Sequence, residues 1–171
     1  MAIAQNEIRQ ELGDFSSIVC LKAIVVGVEE ALGEKAAAIA MISAGRQRGK
    51  ELAKKLNLVD KGSSVSLKEI TEKAQLALGK EGTRLCVIDK IIQEGDVYKV
   101  YTRETFDSFG ELQGSTRVAS FTMGAIQGFL EAFLNQRLQG TQIESLLQGN
   151  SCDLFEYTIM GEINRNVRAE L

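Results

Sequence analysis

The sequence predicts a single α+β domain with the element order ααα-ββ-α-ββ, in which an antiparallel sheet carries its helices on one side. Two observations predict this class. Apolar residues recur at three- and four-residue spacing through the N-terminal half and again around residue 125, as they do in amphipathic helices. Elsewhere, β-branched and aromatic runs of strand length flank short turn signals. We expect one domain over residues 1–161, followed by a polar tail over residues 162–171.

The first helix is predicted from Ser17 to Leu32, and Gly33 is a natural stop for it. Its apolar positions repeat at helical spacing, which predicts a stripe facing the core. We expect this buried stripe to consist of Ile18, Leu21, Ile24, Val25, Val28 and Leu32.

Two further helices are predicted before the first strand. The second runs from about Lys35 to Leu56 and becomes basic toward its C-terminal end, as the helix dipole favours. The third spans about Ser66 to Leu78. Its opening "SLKE" is a capping box with Ser66 as N-cap and Glu69 at the third helical position, and Gly79 ends it.

The middle of the chain changes to strand character. "RLCVIDKII" (Arg84 to Ile92) and "VYKVYTRETF" (Val97 to Phe106) are rich in β-branched and aromatic residues and flank the turn "QEGD". These segments predict a hairpin. A loop follows over Asp107 to Thr116, and then a fourth helix from about Thr116 to Gln136.

A second hairpin is predicted at the C-terminal end. Thr141 to Leu147 and Cys152 to Met160 are each of strand length, and "QGNS" between them supplies the Gly and Asn of a tight reversal. In its second strand, one face at period two consists of Phe155, Tyr157 and Ile159.

Composition excludes several function classes. The net charge is −3, and the densest basic run, "GRQRGKELAKK", also contains Glu51, so we expect no nucleic-acid partner. The longest apolar run, Ala36 to Ile42, is far shorter than the roughly 20 residues of a membrane span. The three cysteines are widely spaced and odd in number, which favours a reducing compartment. We therefore expect a cytoplasmic protein.

Catalytic and metal-binding signatures are sparse. The sequence has no histidine, which removes Ser-His-Asp triads and imidazole ligands, and it contains no CxxC, no phosphate-binding Gly-Lys loop and no GxGxxG. Cys20 and Cys86 fit small buried hydrophobes, and Cys152 opens the last strand without a base to activate it. We expect no enzyme activity, no bound metal and no cofactor.

Two predicted helices contain glycines spaced four apart. Glycine inside a helix costs on the order of 1 kcal/mol against alanine, so each pair calls for a reason. One interpretation is close contact with a neighbouring helix or sheet. The other is room for a ligand against bare backbone. The residues are Gly45, Gly49, Gly124 and Gly128.

The fourth helix is also unusually aromatic. Large side chains alternate with small ones along it, a pattern that fits core packing and the wall of an apolar pocket equally well. Together with the four glycines, its phenylalanines form the predicted ligand-binding set: Phe121, Phe129 and Phe133.

The C-terminal segment "GAIQGFLEAFLNQRLQGTQIESLLQGNSCDLF" resembles the signature of the 4-vinyl-reductase (4VR) domain family. In that family a glycine-punctuated helix leads into a strand with an acidic residue, cysteines, a glycine and a phenylalanine. Glu144, Gly149, Cys152 and Phe155 can be aligned with this pattern. The helix containing "SAGRQRGKELA" resembles the family's upstream glycine helix. The predicted element order is also similar to that of the TRAPP vesicle-tethering subunits.

The sequence departs from the family pattern at two positions. Ser145 stands where the family commonly has its first cysteine, and Phe155 is displaced by one residue. One thiolate without histidine does not make a tetrahedral zinc site, so we expect Cys152 to be structural.

The resemblance implies a non-catalytic domain that binds an apolar or amphipathic small molecule, such as a lipid, hydrocarbon or tetrapyrrole. We expect that ligand between the two glycine-bearing helices. The alternative is a TRAPP-like scaffold or interaction module without a small ligand. An accessory factor of tetrapyrrole metabolism is a third interpretation. The apolar helix surfaces also predict a homodimer through helical faces.

Overall fold

The computed structural model describes residues 17–62 and 64–163. Within them, helices and strands follow in the predicted order, and a short 3₁₀ turn precedes the fourth helix and another precedes the last strand. The elements are α1 Ile18–Leu32, α2 Glu34–Lys55, α3 Leu67–Leu78, β1 Val87–Glu94, β2 Val97–Arg103, α4 Ser120–Leu134, β3 Gln136–Glu144 and β4 Asp153–Glu162. The predicted tail begins inside β4, since Glu162 still pairs with Gln136, and its residues 164–171 lie outside the described residues.

The strands form one antiparallel sheet in the order β1-β2-β4-β3. Helices α3 and α4 pack against the sheet, and α2 packs on α4. The predicted α+β class with helices on one side is thereby confirmed. Phe155 and Tyr157 are fully buried on the helix side of β4, and Ile159 packs against the same core, as the period-two pattern predicts.

Local sequence signals predict both ends of α3 and the turn of the first hairpin correctly. The Ser66 hydroxyl accepts a hydrogen bond from the Glu69 amide at 3.2 Å, and the Gly79 amide donates to the Gln75 carbonyl at 2.9 Å. In the hairpin, Glu94 pairs directly with Val97, which leaves a two-residue turn. Gly95 in that turn has φ +59°, a conformation that favours glycine.

Helix α4 is shorter than predicted, and the strand after it begins earlier. The buried Asp107 carboxylate accepts hydrogen bonds from the amides of Phe121 and Thr122, both at 3.0 Å, so the helix starts at Ser120. Asn135 then takes a left-handed conformation with φ 55°, which ends the helix and starts β3 at once. Both ends depend on contacts and conformations that helical periodicity does not reveal.

The predicted buried stripe of α1 is wrong. Ser17, predicted as the first helical residue, is the N-cap of α1, but Val25 is the one residue of the stripe that is buried. The other large side chains remain open because α1 lies against α2 and no other described element covers its outer side. Exposed fractions are 37% for Ile18, 42% for Leu21, 62% for Ile24 and 59% for Leu32.

Candidate functional site

The glycine pairs of α2 and α4 lie where these two helices cross. A Cβ added to Gly128 would lie 2.8 Å from the Cα atom of Arg46, and one added to Gly45 would lie 2.9 Å from the amide nitrogen of Ala125. Gly49 and Gly124 face the opposite backbone just as closely. These glycines let two helix backbones touch, which is the first of the two interpretations of their spacing. The space that a ligand would need between them is closed in this structure.

The phenylalanines of the predicted ligand set lie in or beside the hydrophobic core. Phe129 and Phe133 are 1% and 2% exposed. Phe121 is half-buried and meets Phe106 edge-on, with ring centroids 5.9 Å apart. Their burial on α4 supports the core interpretation of the aromatic pattern.

A buried carboxylate reinforces the contact between α2 and α4. Glu131, with no exposed side-chain surface, accepts hydrogen bonds from Nε and Nη2 of Arg46 at 2.6 and 2.7 Å, and Nζ of Lys50 lies at 3.4 Å. It also accepts the Leu138 amide of β3 at 3.0 Å. Burial opposes ionisation, but the Arg46 hydrogen bonds lower the pKa of Glu131. One carboxylate therefore joins two helices and a sheet edge.

Two of the three cysteines are buried as small side chains, whereas Cys20, predicted to be buried, is exposed on α1. Burial raises the pKa of Cys86 to about 12, and burial also raises the pKa of Cys152. Both thiols therefore stay protonated near neutral pH, which makes them poor nucleophiles. Ser145 and Cys152 are both buried at the end of the β3–β4 hairpin. Among the described residues, no group of three His, Cys, Asp or Glu side chains is placed to hold a metal ion.

An open cleft lies between α1, the first half of α2 and the segment from Asp107 to Ser120. We call it the α1/α2 cleft; its volume is about 360 Å³. Its lining combines apolar side chains with charged and hydroxyl groups. The apolar residues are Val25, Ala38, Met41 and Val118, and the polar ones are Glu29, Glu34, Lys35, Asp107, Glu111, Ser115, Thr116, Arg117 and Ser120.

Arg117 connects charged side chains that line the cleft. Its guanidinium makes a two-pronged ion pair with Glu29 of α1, in which Nη2 lies 2.8 Å from Oε2. Its Nε donates to Glu111 at 2.5 Å, and Glu111 also accepts from Nζ of Lys22 at 2.7 Å. The hydrogen bonds to Glu29 raise the pKa of Arg117 above its ordinary value, so this charge is permanent. We call these four residues the ion network.

The sequence patterns singled out none of the residues of the ion network. A signal was nevertheless present on α1, where Lys22 and Glu29 stand seven residues apart in a mainly apolar helix whose one other charged residue is Glu30. Seven residues make two helical turns, so both charges project from one face. Their partners Glu111 and Arg117 lie in a segment without periodicity, and pairing over 88 or 89 residues is invisible to local patterns.

Comparison with known proteins supports the fold. No protein-family model and no curated protein matches the sequence. Among solved structures, the phenol-responsive sensory domain of the transcription activator PoxR, solved with phenol, has a TM-score of 0.64 at 18% identity. The match covers 85% of this chain and 76% of that one.

Two further solved structures share this fold. A trafficking protein particle complex subunit 3 from Naegleria fowleri, covalently bound to palmitic acid, has a TM-score of 0.60 at 14% identity, over 85% of this chain and 94% of that one. A vinyl-4-reductase family protein from Methanocaldococcus jannaschii has a TM-score of 0.52 at 13% identity. The match covers 93% of this chain and 98% of that one. The resemblance to 4VR and TRAPP proteins that the sequence predicts is confirmed at the level of the fold.

Proposed function

We propose that this protein binds an amphipathic small molecule in the α1/α2 cleft. The observation that carries the proposal is the cleft itself, about 360 Å³ in volume and lined by both apolar and polar side chains. Pockets for small molecules typically span about 300–1,000 Å³ and combine apolar surface with a few placed polar groups. The fold neighbours named with phenol and with palmitic acid support a binding role. This proposal moves the ligand away from the glycine faces and into the cleft.

The proposed role is binding without catalysis. Asp107, the buried carboxylate of the cleft, already caps α4, and the pKa values of Cys86 and Cys152 are raised. We further propose that the protein works in the cytoplasm, where its exposed Cys20 thiol stays reduced. None of the described helices is long and apolar enough to cross a bilayer.

Filling the cleft tests this function. Ala38 of α2 is one of the apolar residues that line the cleft, and it is half-buried. We expect Ala38→Phe to weaken binding of the neutral, polarity-sensitive dye N-phenyl-1-naphthylamine at least tenfold, or about 1.4 kcal/mol, measured by fluorescence titration. The added ring would occupy the space of the ligand without entering the core.

A matched control is available two residues away. Ala36 is exposed and does not line the cleft, so Ala36→Phe should leave dye affinity unchanged while adding the same side chain to the same helix. Equal dye binding by the parent and Ala38→Phe would refute the cleft as the binding site.

A second candidate function, an interaction module that forms a homodimer, is favoured by the outer side of α1 and α2. Val19, Ile24 and Ile39 are 60%, 62% and 70% exposed, and Leu32 is 59% exposed. Exposed large apolar side chains on two neighbouring helices favour a surface that meets another protein. A two-fold axis would pair this face with its own copy.

Light scattering tests the homodimer. We expect a species of twice the 18.7 kDa chain mass at micromolar concentration. Ile24→Glu should shift it to the monomer because the new charge would be buried in the interface. Leu112 is 82% exposed and lies outside both helices, so Leu112→Glu should leave the dimer intact. A parent protein that scatters as a monomer would rule this module out.

A further inference from the structure

The charges of the ion network sum to zero, and each of them is already paired. It contains two cations, Lys22 and Arg117, and two carboxylates, Glu29 and Glu111, and three ion pairs connect them. The four side chains are only 12–21% exposed, so water screens these charges incompletely. Each charge already has an opposite charge in contact.

The other charged groups that line the cleft contribute little net charge to it. Glu34 and Lys35 are of opposite sign, and because both are exposed, water screens their charges. The Asp107 carboxylate is occupied by the amides that begin α4 and by the Thr122 hydroxyl at 2.6 Å. The other polar lining groups are neutral hydroxyls, those of Ser115, Thr116 and Ser120.

We propose that the ligand of the α1/α2 cleft is uncharged, with an apolar body and a neutral hydrogen-bonding group. This inference rests on the proposed binding function. An anionic ligand would have to displace Glu29 or Glu111 from Arg117, and the displaced carboxylate would lose its partner in a largely buried place. A cationic ligand would have to compete with Arg117 or Lys22 in the same way. Unpairing a partly buried charge is costly, whereas a neutral group can bond to the hydroxyls and leave the ion network intact.

Three ligands of one chain length test this selectivity: 1-octanol, octanoate and octylammonium. Their apolar bodies are the same, and at pH 7 only the alcohol is neutral. Competition against N-phenyl-1-naphthylamine should show octanol binding at least tenfold more tightly than either ion. Octanoate or octylammonium competing as well as octanol would overturn the inference while leaving the binding function standing. Failure of the dye itself to bind would instead remove the binding function.

Two variants should redirect the selectivity. Glu29→Gln leaves the ion network with one surplus positive charge, so the ratio of octanoate affinity to octanol affinity should rise at least tenfold. Lys22→Met leaves the ion network with one surplus negative charge, so the affinity for octylammonium should rise instead. Because the two variants carry opposite predictions, general damage to the fold cannot produce both, and thermal melting of each variant confirms that it is folded.

Glu30 provides the control for overall charge. It is exposed, follows Glu29 directly and does not line the cleft. Glu30→Gln changes the net charge of the protein as Glu29→Gln does, and it should leave octanoate affinity at the level of the parent. An equal gain of octanoate affinity in both variants would mean that total charge, and not the ion network, sets selectivity, and would overturn the proposal.

Discussion

Replacing Gly128 by leucine is expected to lower the free energy of unfolding by about 3 kcal/mol or more, the upper range for overpacking. Even the first carbon of the new side chain would lie 2.8 Å from the Cα atom of Arg46. That neighbour is helix backbone, which cannot rotate away as a side chain can. The helices would have to separate, and the gain in helix propensity, under about 1 kcal/mol, is too small to compensate. Urea denaturation measures the loss.

Gly27 of α1 provides the opposite result as a control. A Cβ at this position meets nothing within 4 Å, and the residue is exposed in a helix. Gly27→Ala should therefore raise the free energy of unfolding by up to about 1 kcal/mol. If Gly128→Leu melted at or above the temperature of the parent, α2 and α4 would have to leave a cavity at this position. That result would restore the prediction that the ligand binds between the glycine faces of α2 and α4.

Replacing Arg46 by methionine is the second change with a large expected effect. Glu131 would keep Lys50 at 3.4 Å but lose both short hydrogen bonds from the guanidinium. Removing one partner of a buried ion pair costs about 3–5 kcal/mol. Arg46 is itself 38% exposed and Lys50 remains, so we expect about 3 kcal/mol, the lower end of this range.

A double variant separates the lost ion pair from lost side-chain contacts. In Arg46→Met with Glu131→Gln, no buried charge is left unpaired, and the glutamine oxygen can still accept the Leu138 amide. We expect the double variant to be more stable than Arg46→Met alone. If the double variant is as unstable as the single one, the buried charge of Glu131 is not the cause.

The stability lost in Arg46→Met should depend on pH, and the pKa of Glu131 determines the direction of that dependence. The pKa of Glu131 is lower in the folded protein than the value of about 4.3 expected for an unfolded chain. Its ion pair therefore stabilises the fold above about pH 4.3, and this contribution disappears as the pH falls through the lower, folded-state pKa. The stability difference between the parent and Arg46→Met should shrink between pH 7 and pH 3.

Local signals in the sequence predict most of the elements. Ser66 caps α3 and Gly79 ends it as expected, and Gly33 ends α1. The two-residue turn at Gly95 joins β1 to β2 within the predicted turn. These features depend on neighbours within a few residues along the chain, so their physics is present in the sequence itself. The exceptions are the limits of α4, which Asp107 and Asn135 determine, and the second hairpin. There the predicted strand to Leu147 ends at Glu144, and a 3₁₀ turn over Leu146–Gln148 replaces the start of the predicted tight reversal.

The glycine spacing shows where sequence reasoning stops. Gly45 and Gly49 predict a face without side chains, but not whether backbone or ligand fills the space beside it. The structure places α4 there. The same limit applies to the apolar stripe of α1, because periodicity identifies an apolar face and says nothing about what covers it.

The sequence by itself determined the α+β class, the order of the elements, the caps and turns, and the glycine faces of α2 and α4. Only the tertiary structure decided that those faces contact each other, that α1 is largely uncovered and that a cleft lies beside it. The physical reason is the range of the interactions. Capping and periodicity act over a few residues, whereas Arg117 meets Glu29 across 88 residues of chain. Such a pair forms only once the helices and the sheet have come together.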